Sequence, residues 1–417
     1  MIHKECGKRA EDLRGTSPVS PQQLAENRTT DELANLDFLR AVAVGLVFFD
    51  HLFVTMGARG MGAFGTFGVL LFFVHTALVL MMSMERLGLP GLALYKTFMV
   101  RRIFRIYPLS ILSVLIVVCF RIPSISWFGE YQWTGWTAFA SNLLLTQNLT
   151  HSGSLISVLW SLPFEIQMYT ILPLLFLLAL RFPGLSPIAS AWLMAVGIAV
   201  AEYLARPGIS GPDLLVARYF PCFLAGVFAW RLRKIRSPRF SGAAWVLFLI
   251  GLIVVYRVVD LLRVYGPGTL GALQGTLRNH PGIWWPVFLD LVRDWLFCAA
   301  VGLAVPHFLE IRSRLLKRIS KWIARYSYGI YVSHVPIMWV CLVRLRFGAM
   351  TVRAALAVLL TAAVSVAAYH CLEEPAIRLG KRLTARLVQR PGLRLRSAKD
   401  AIPTKPTDSA QDRLSQA

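Results

Sequence analysis

Residues 36–56 read LDFLRAVAVGLVFFDHLFVTM, an apolar stretch of about the length that a helix needs to cross a bilayer. Four ionisable side chains interrupt it: Asp37 and Arg40 near its start, and Asp50 and His51 near its end. Arg40 and His51 are the pair that matters for the face of the helix. They are eleven positions apart, which is close to three turns at about 3.6 residues per turn, so both side chains lie on one face of a helix. A rise of about 1.5 Å per residue separates them by roughly 16 Å along the axis. The stretch therefore predicts a membrane helix with one polar face.

The whole chain has the composition of an integral membrane protein. Of its 417 residues, 56% are hydrophobic and only 16% are charged, whereas a soluble domain carries about a quarter charged residues. Its apolar runs are long and continuous, which favours helices over the short alternating segments of a membrane β-barrel. We expect an all-α polytopic protein with about ten transmembrane helices, near 36–56, 63–84, 106–122, 155–182, 187–205, 214–232, 242–263, 283–309, 326–343 and 353–374.

The basic residues indicate the orientation of these spans. A formal net charge of +22 would suggest a nucleic-acid partner in a soluble protein. Here most Lys and Arg residues fall in the segments on one side of the membrane, so the positive-inside rule places both termini in the cytoplasm and we expect no nucleic acid. The predicted organisation is a polar cytoplasmic tail over 1–35, a membrane domain over 36–377, and a basic, partly disordered cytoplasmic tail over 378–417 that is attracted to anionic lipids.

The cysteines indicate neither disulfides nor a metal. The six are scattered, none forms a CxxC pair, and most lie in or beside apolar runs. This pattern predicts neither a disulfide framework nor a zinc site.

The first span carries the strongest functional signal. An ionisable side chain deep in a span costs on the order of 3 kcal/mol unless it faces a polar cavity, which favours a functional reading of Arg40 and His51. Asp37 lies three residues before Arg40 and can pair with it on the helix surface. The structural alternative is that His51 packs helices together through a bond to a neighbouring backbone.

A basic cluster precedes the third predicted span. Arg101, Arg102 and Arg105 lie within five residues at the predicted cytoplasmic boundary. Guanidinium groups bind phosphate in a bidentate manner, so the cluster could hold a phosphate-bearing ligand. The alternative is that these arginines only set the topology.

Two more polar segments lie inside apolar runs. Glu165 and Tyr169 are one helical turn apart in the fourth span, which predicts a polar pocket. Trp160, just before them, could stack on a sugar or anchor the helix at the interface. In the ninth span, Tyr331 and His334 share a helix face.

Together these segments resemble the acyltransferase-3 family of integral-membrane O-acyltransferases over roughly residues 36–380. Each motif is weak alone, but five in this order are specific: Arg40 with His51; Arg101, Arg102, Arg105, Tyr107 and Pro108; Trp160, Ser161 and Leu162 with Glu165 and Tyr169; Ser327 and Tyr328 with His334; and Tyr369 with Glu373 and Pro375. The sequence departs from the pattern at His75 and Thr76, where Ser-Gly is usual, and at Glu374, where a basic residue is common.

The resemblance implies a multi-pass protein of the bacterial inner membrane that moves an acyl group, commonly acetyl, from cytoplasmic acetyl-CoA or another acyl-CoA. The implied acceptor is a hydroxyl of a cell-surface glycan or lipid-linked sugar. A transporter or flippase of a lipid-linked sugar is the alternative from another class, because buried charges within many spans also describe carriers.

The resemblance also assigns roles to the residues singled out above. His51 is the expected base, with Arg40 and Glu165 completing the catalytic set, and no metal takes part. Glu165 would either orient the imidazole or bind the sugar. We expect Arg40 and His51 to line one passage, along which the donor reaches the acceptor, with or without an acyl-His51 intermediate. The expected CoA-binding residues are Asp37, Arg101, Arg102 and Arg105, and the expected acceptor-binding residues are Trp160, Tyr169, Tyr331 and His334.

Overall fold

The computed structural model describes residues 33–58, 62–123, 130–205, 216–265 and 285–388. These ranges are helices joined by turns, without a β-strand, and the one isolated bridge pairs Phe240 with Phe308. The helices are α1 Ala34–Thr55, α2 Ala63–Leu87, α3 Gly91–Cys119, α4 Trp136–Leu144, α5 Leu162–Arg181, α6 Ser186–Ala205, α7 Phe220–Ile235, α8 Gly242–Tyr265, α9 Trp285–Ala304, α10 Arg314–Met338, α11 Met350–Ala368 and α12 Glu374–Val388. The predicted all-α, polytopic class is confirmed.

Eight segments of the described chain are long and apolar enough to cross a membrane. They contain α1, α2, α3, α5, α6, α8, α10 and α11, the last of these continuing into α12. The two other predicted spans form α7 and α9. The 16 residues of α7 fall short of the roughly 20 that cross a bilayer, and α9 carries three charged residues, Asp290, Arg293 and Asp294.

The core is built around α2, which is apolar on all sides and is the most deeply buried of the eight. It packs against α1 on one side and α7 on another. Glycines allow these close approaches: a Cβ added at Gly68 would lie 2.6 Å from the Ala43 carbonyl oxygen of α1. Small residues at helix contacts are the usual way in which membrane helices approach closely.

The start of α1 is fixed by the segment that precedes α10. The backbone N–H of Asn35 donates to a Glu310 carboxylate oxygen at 2.7 Å, and the Asn35 side chain bonds the Leu309 carbonyl and the Ile311 N–H, each at 3.1 Å. A carboxylate at a helix N-terminus meets unpaired N–H groups and the positive end of the dipole. Burial nevertheless raises the pKa of Glu310.

Two helices extend further than hydropathy indicates, because their extensions are basic and amphipathic. The third helix begins at Gly91 rather than near residue 106, so the basic cluster is helical. Helix α10 begins at Arg314 rather than near residue 326, and its first turns are rich in Lys and Arg.

Pro375 lies inside the last helical segment and does not end it. A π-helical turn over Tyr369–Glu373 leads directly into α12, and Pro375 occupies its second position. Proline inside a continuous helix removes one backbone hydrogen bond and crowds the preceding turn, and here that preceding turn is the wider π turn. The predicted boundary at 377/378 therefore lies within one helix, while residues 389–417 of the predicted tail lie outside the described residues.

Candidate active site

Five helices, α1, α2, α3, α5 and α10, enclose a cavity in the membrane domain. It contains roughly 700 Å³ of space not filled by atoms, its open mouth included. Its polar lining comes from Arg40, His75, Thr76, Arg102, Arg105, Ser161, Glu165, Tyr169, Ser327, Tyr328 and Tyr331. Apolar residues of α2, among them Phe72 and Val79, complete the wall.

Three guanidinium groups line this cavity. Arg40 donates from Nε to the hydroxyl oxygen of Ser327 at 2.5 Å, which joins α1 to α10. Arg102 lies over the Phe98 ring, 5.7 Å from its centroid, and its buried Nε has no hydrogen-bond partner in the described residues. Arg105 lies one turn from Arg101 and Arg102 on α3 and also faces the cavity. Guanidinium groups with unused donors are suited to an anionic ligand, above all phosphate.

A carboxylate faces these cations from α5. The Tyr169 hydroxyl donates to Glu165, one helical turn earlier. Glu165 lies in the first turn of α5, directly after the short helical turn Ser157–Ser161. It is close enough to Arg40 and Arg102 to interact with both electrostatically. The cavity thus presents cations and one hydrogen-bonded carboxylate to whatever it binds.

Tyrosines of α10 fix the remaining wall. Tyr331 donates to the Val158 carbonyl at 2.7 Å and accepts from the Ser161 hydroxyl at 2.7 Å. Tyr328 donates to the Ile106 carbonyl of α3 at 2.7 Å. Buried phenols need such partners, and these bonds hold α10 in register with α3 and the start of α5.

His51 is not among the residues that line the cavity. Its Nδ1 is 2.8 Å from Nε2 of His334, and the Tyr331 ring stands 6.2 Å from the His334 ring, centroid to centroid. The expectation that Arg40 and His51 line one open passage is therefore not met by this cavity: Arg40 lines it and His51 does not, and His51 neighbours it only through His334 and Tyr331. Helical spacing sets the face on which a side chain lies, but not which neighbour covers it.

Three other predicted site residues also lie elsewhere. Arg101 donates from Nε to the Thr384 hydroxyl of α12 at 2.9 Å. Trp160 packs against Phe164 and Tyr219. Asp37 forms no direct ion pair with Arg40 in the described part of the chain, although i,i+3 spacing allows one. Its carboxylate lies in the field of Lys321, Arg40 and Arg325.

Two buried groups near these cations were not predicted as site residues. His75 lines the cavity, is 4% exposed, and has no hydrogen-bond partner at Nδ1 in the described residues. Glu373 is 1% exposed, lies in the field of Arg105 and Arg40, and has neither carboxylate oxygen hydrogen-bonded in those residues. Both positions were visible in the sequence, His75 as a departure from the family pattern and Glu373 as part of its last motif, but nothing there indicated that they neighbour Arg40.

Comparison with known families decides the classification. The family model of the acyltransferase-3 family, described as an acyltransferase domain, matches residues 33–370. The chain belongs to the acyltransferase-3 family. No curated protein and no solved structure matches it.

Membership in the acyltransferase-3 family gives the cavity a chemical context. The matched region contains every residue that lines the cavity, as well as the His51–His334 pair. The protein is therefore a membrane acyltransferase by family, and both the cavity and the histidine pair lie within the matched domain.

Proposed function

We propose that this acyltransferase transfers an acyl group, with acetyl favoured, from cytoplasmic acyl-CoA to a hydroxyl of a cell-surface glycan or lipid-linked sugar at the bacterial inner membrane. The observation that carries the proposal is the cavity in which Arg40, Arg102 and Arg105 face Glu165 within the membrane domain. Family membership supports acyl transfer, and the cavity supports an anionic donor.

The donor fits the basic side of the cavity. Coenzyme A carries phosphates at one end and a thioester at the end of a long pantetheine arm. In the proposed orientation, Arg102 and Arg105 bind the phosphates through charge-assisted hydrogen bonds. The arm then extends along the cavity past Arg40 toward Tyr331, so that the nucleotide stays on the cytoplasmic side.

The acceptor is proposed to arrive from the opposite side. His51 lies four residues before the end of α1, the helix end away from the predicted cytoplasmic tail. Its side chain is only partly buried. A hydroxyl from the outer face can therefore reach the imidazole without passing through the donor cavity.

The chemistry needs a base because a sugar hydroxyl is a weak nucleophile when protonated. His51 accepts the hydroxyl proton while the oxygen attacks the thioester carbon. The tetrahedral intermediate collapses, the carbon–sulfur bond breaks, and the imidazolium returns the proton to the departing thiolate. The products are an ester and free CoA thiol. In this scheme the thioester moves past the Tyr331 ring, which separates the cavity from the histidine pair.

The proposal is tested by measuring thiol release. Purified protein in liposomes is given acetyl-CoA and a hydroxyl acceptor, with His51→Gln as the matched variant. We expect thiol release that depends on the acceptor and falls by at least about 10²-fold in the variant. A carrier would consume no acyl-CoA, so acceptor transport without thiol release would overturn the proposal. Mass spectrometry of envelope glycans from cells with and without the protein then identifies the product.

A further inference from the structure

We propose that His334 is a positioning residue that fixes the neutral tautomer of His51, with the proton on Nδ1 and Nε2 left as the atom that accepts the hydroxyl proton. The inference rests on the proposed function and names the basic atom within it. It also changes the role of His334, from acceptor binding to support of the base.

The hydrogen bonds determine first the tautomer of His334 and then that of His51. Nδ1 of His334 is 2.9 Å from the Ile330 carbonyl oxygen, one helical turn earlier. A carbonyl oxygen only accepts, so this nitrogen carries a proton. In a neutral His334, Nε2 then has a lone pair and accepts from Nδ1 of His51 at 2.8 Å. His51 is left with its proton on Nδ1 and a lone pair on Nε2.

The environment of His334 favours the neutral ring. The side chain is wholly buried, at 0% exposure, and its ring neighbours are Phe48, Tyr331 and His51. No carboxylate contacts it in the described chain, and an unpaired charge in such surroundings is costly. Because no surface of His334 is open to an acceptor, its effect on the reaction passes through His51.

The geometry suits a strong hydrogen bond. The two ring planes differ by 13° and their centroids lie 5.1 Å apart. The centroid separation is about the distance between His51 Nδ1 and His334 Nε2 plus the two ring radii, so the rings meet edge to edge. The Nδ1–H of His51 therefore points at the in-plane lone pair of His334 Nε2. The bond joins two packed helices, because His51 lies on α1 and His334 on α10, and the Arg40–Ser327 bond ties the same helices at a second level.

Loss of this contact has a defined chemical consequence. Neutral imidazole in water carries its proton mostly on Nε2, so a His51 without the His334 acceptor reverts toward that tautomer. Its Nε2 then holds a proton and cannot accept one. Catalysis falls, while the donor cavity, which neither ring lines, keeps its affinity. In a Ser-His-Asp catalytic triad, a histidine held in the wrong tautomer lowers kcat by about 10⁴-fold, which shows how large such an effect can be.

The test compares His334→Leu, which removes the acceptor, with His334→Gln, whose side-chain carbonyl can replace Nε2. In the full-length protein in liposomes, we expect His334→Leu to lower kcat by about 10²- to 10⁴-fold with an unchanged KM for acetyl-CoA. We expect His334→Gln to recover kcat to within about tenfold of the wild type. Equal kcat values in the two variants would overturn the proposal.

Nitrogen-15 NMR of histidine-labelled wild-type protein reports the tautomer without relying on any variant to fold. The His51 ring is assigned by its loss in His51→Gln. We expect a protonated Nδ1 and an unprotonated Nε2 in the His51 ring, and the reverse pattern overturns the inference. The two proposals fail separately. An active His51→Gln protein would show that His51 is not the base. An inactive His51→Gln protein together with fully active His334 variants would contradict only the role of His334.

Discussion

At the scale of single residues, Arg101 and Arg105 are one helical turn apart on α3 but have different neighbours. Arg105 lines the cavity, whereas Arg101 is hydrogen-bonded to Thr384 of α12. Hydrogen bonds to charged groups contribute about 1.5–3 kcal/mol. We therefore expect Arg105→Ala to raise the KM for acetyl-CoA by about 10- to 100-fold, and Arg101→Ala to change it by less than about threefold.

Steady-state thiol release at varied acetyl-CoA, with acceptor saturating, measures both values. Arg101→Ala is the matched control, because it removes the same charge from the same helix. Equal increases in KM would mean that the cluster acts through its overall charge rather than through the cavity.

His75 allows a second prediction at this scale. Its ring occupies the cavity wall on α2. His75→Ser enlarges the cavity, and one methylene in an apolar pocket changes discrimination by about 10- to 200-fold. We expect the ratio of kcat/KM for butyryl-CoA to that for acetyl-CoA to rise by at least about tenfold. His370→Ser, at an exposed histidine outside the cavity, is the control. An unchanged ratio in His75→Ser would show that the acyl chain does not reach α2.

Arg40, Glu165, Tyr169 and Tyr331, which the sequence singled out, all line one cavity in the structure, and their roles in the reaction stay predictions. These residues share a local signal, a polar side chain inside an apolar run. Packing between helices that are far apart in the chain decides that His51 does not line the cavity and that Arg101 contacts α12. No periodicity within one helix contains that information.

At the scale of helices, α12 shows how an amphipathic segment is held to the membrane domain. Its Gly380 faces Phe104 of α3, where an added Cβ would lie 2.9 Å from the Phe104 Cβ. Overpacking of this kind typically costs about 1–3 kcal/mol. We expect Gly380→Leu to lower the apparent Tm of the purified protein by several degrees and to increase proteolysis of α12.

The adjacent exposed position supplies the control for this prediction. Lys381→Leu places the same side chain on the outer face of α12, so it should leave both measurements near the wild type. A Tm loss of equal size in both variants would mean that α12 is sensitive to added apolar surface rather than to its contact with α3.

Hydropathy located the apolar centres of the helices but not their amphipathic ends. The parts outside the predicted spans are the first turns of α3 and of α10 and the whole of α12, because these segments carry many Lys and Arg residues. Helix α7 is buried and shorter than a span, because surrounding helices rather than lipid cover it. Element type was thus predictable from local composition, whereas element length depended on neighbouring helices.

At the scale of the whole molecule, the cations and the histidine pair lie at different depths. Arg40 is near the start of α1 and His51 is one turn from its end. Under the proposed function, this difference in depth would separate the donor side from the acceptor side, and Tyr331 lines the cavity and neighbours the His334 ring. This separation has a function only if the start of α1 faces the cytoplasm, as the distribution of basic residues predicts.

Thiol labelling tests that orientation directly. In a background with Cys6, Cys119 and Cys371 replaced by Ser, single cysteines are introduced at Ala58, just beyond the end of α1, and at Lys381 on α12, both of which are exposed. Because Lys381 lies in the predicted cytoplasmic tail over 378–417, we expect a membrane-impermeant maleimide to label Ala58→Cys in intact spheroplasts and Lys381→Cys only in inside-out vesicles. The reverse pattern would place the guanidinium-lined cavity on the outer side, where no acyl-CoA is supplied, and the proposed direction of transfer would be wrong. Labelling of both sites in spheroplasts would indicate leaky membranes, which a cytoplasmic marker enzyme detects in the same sample.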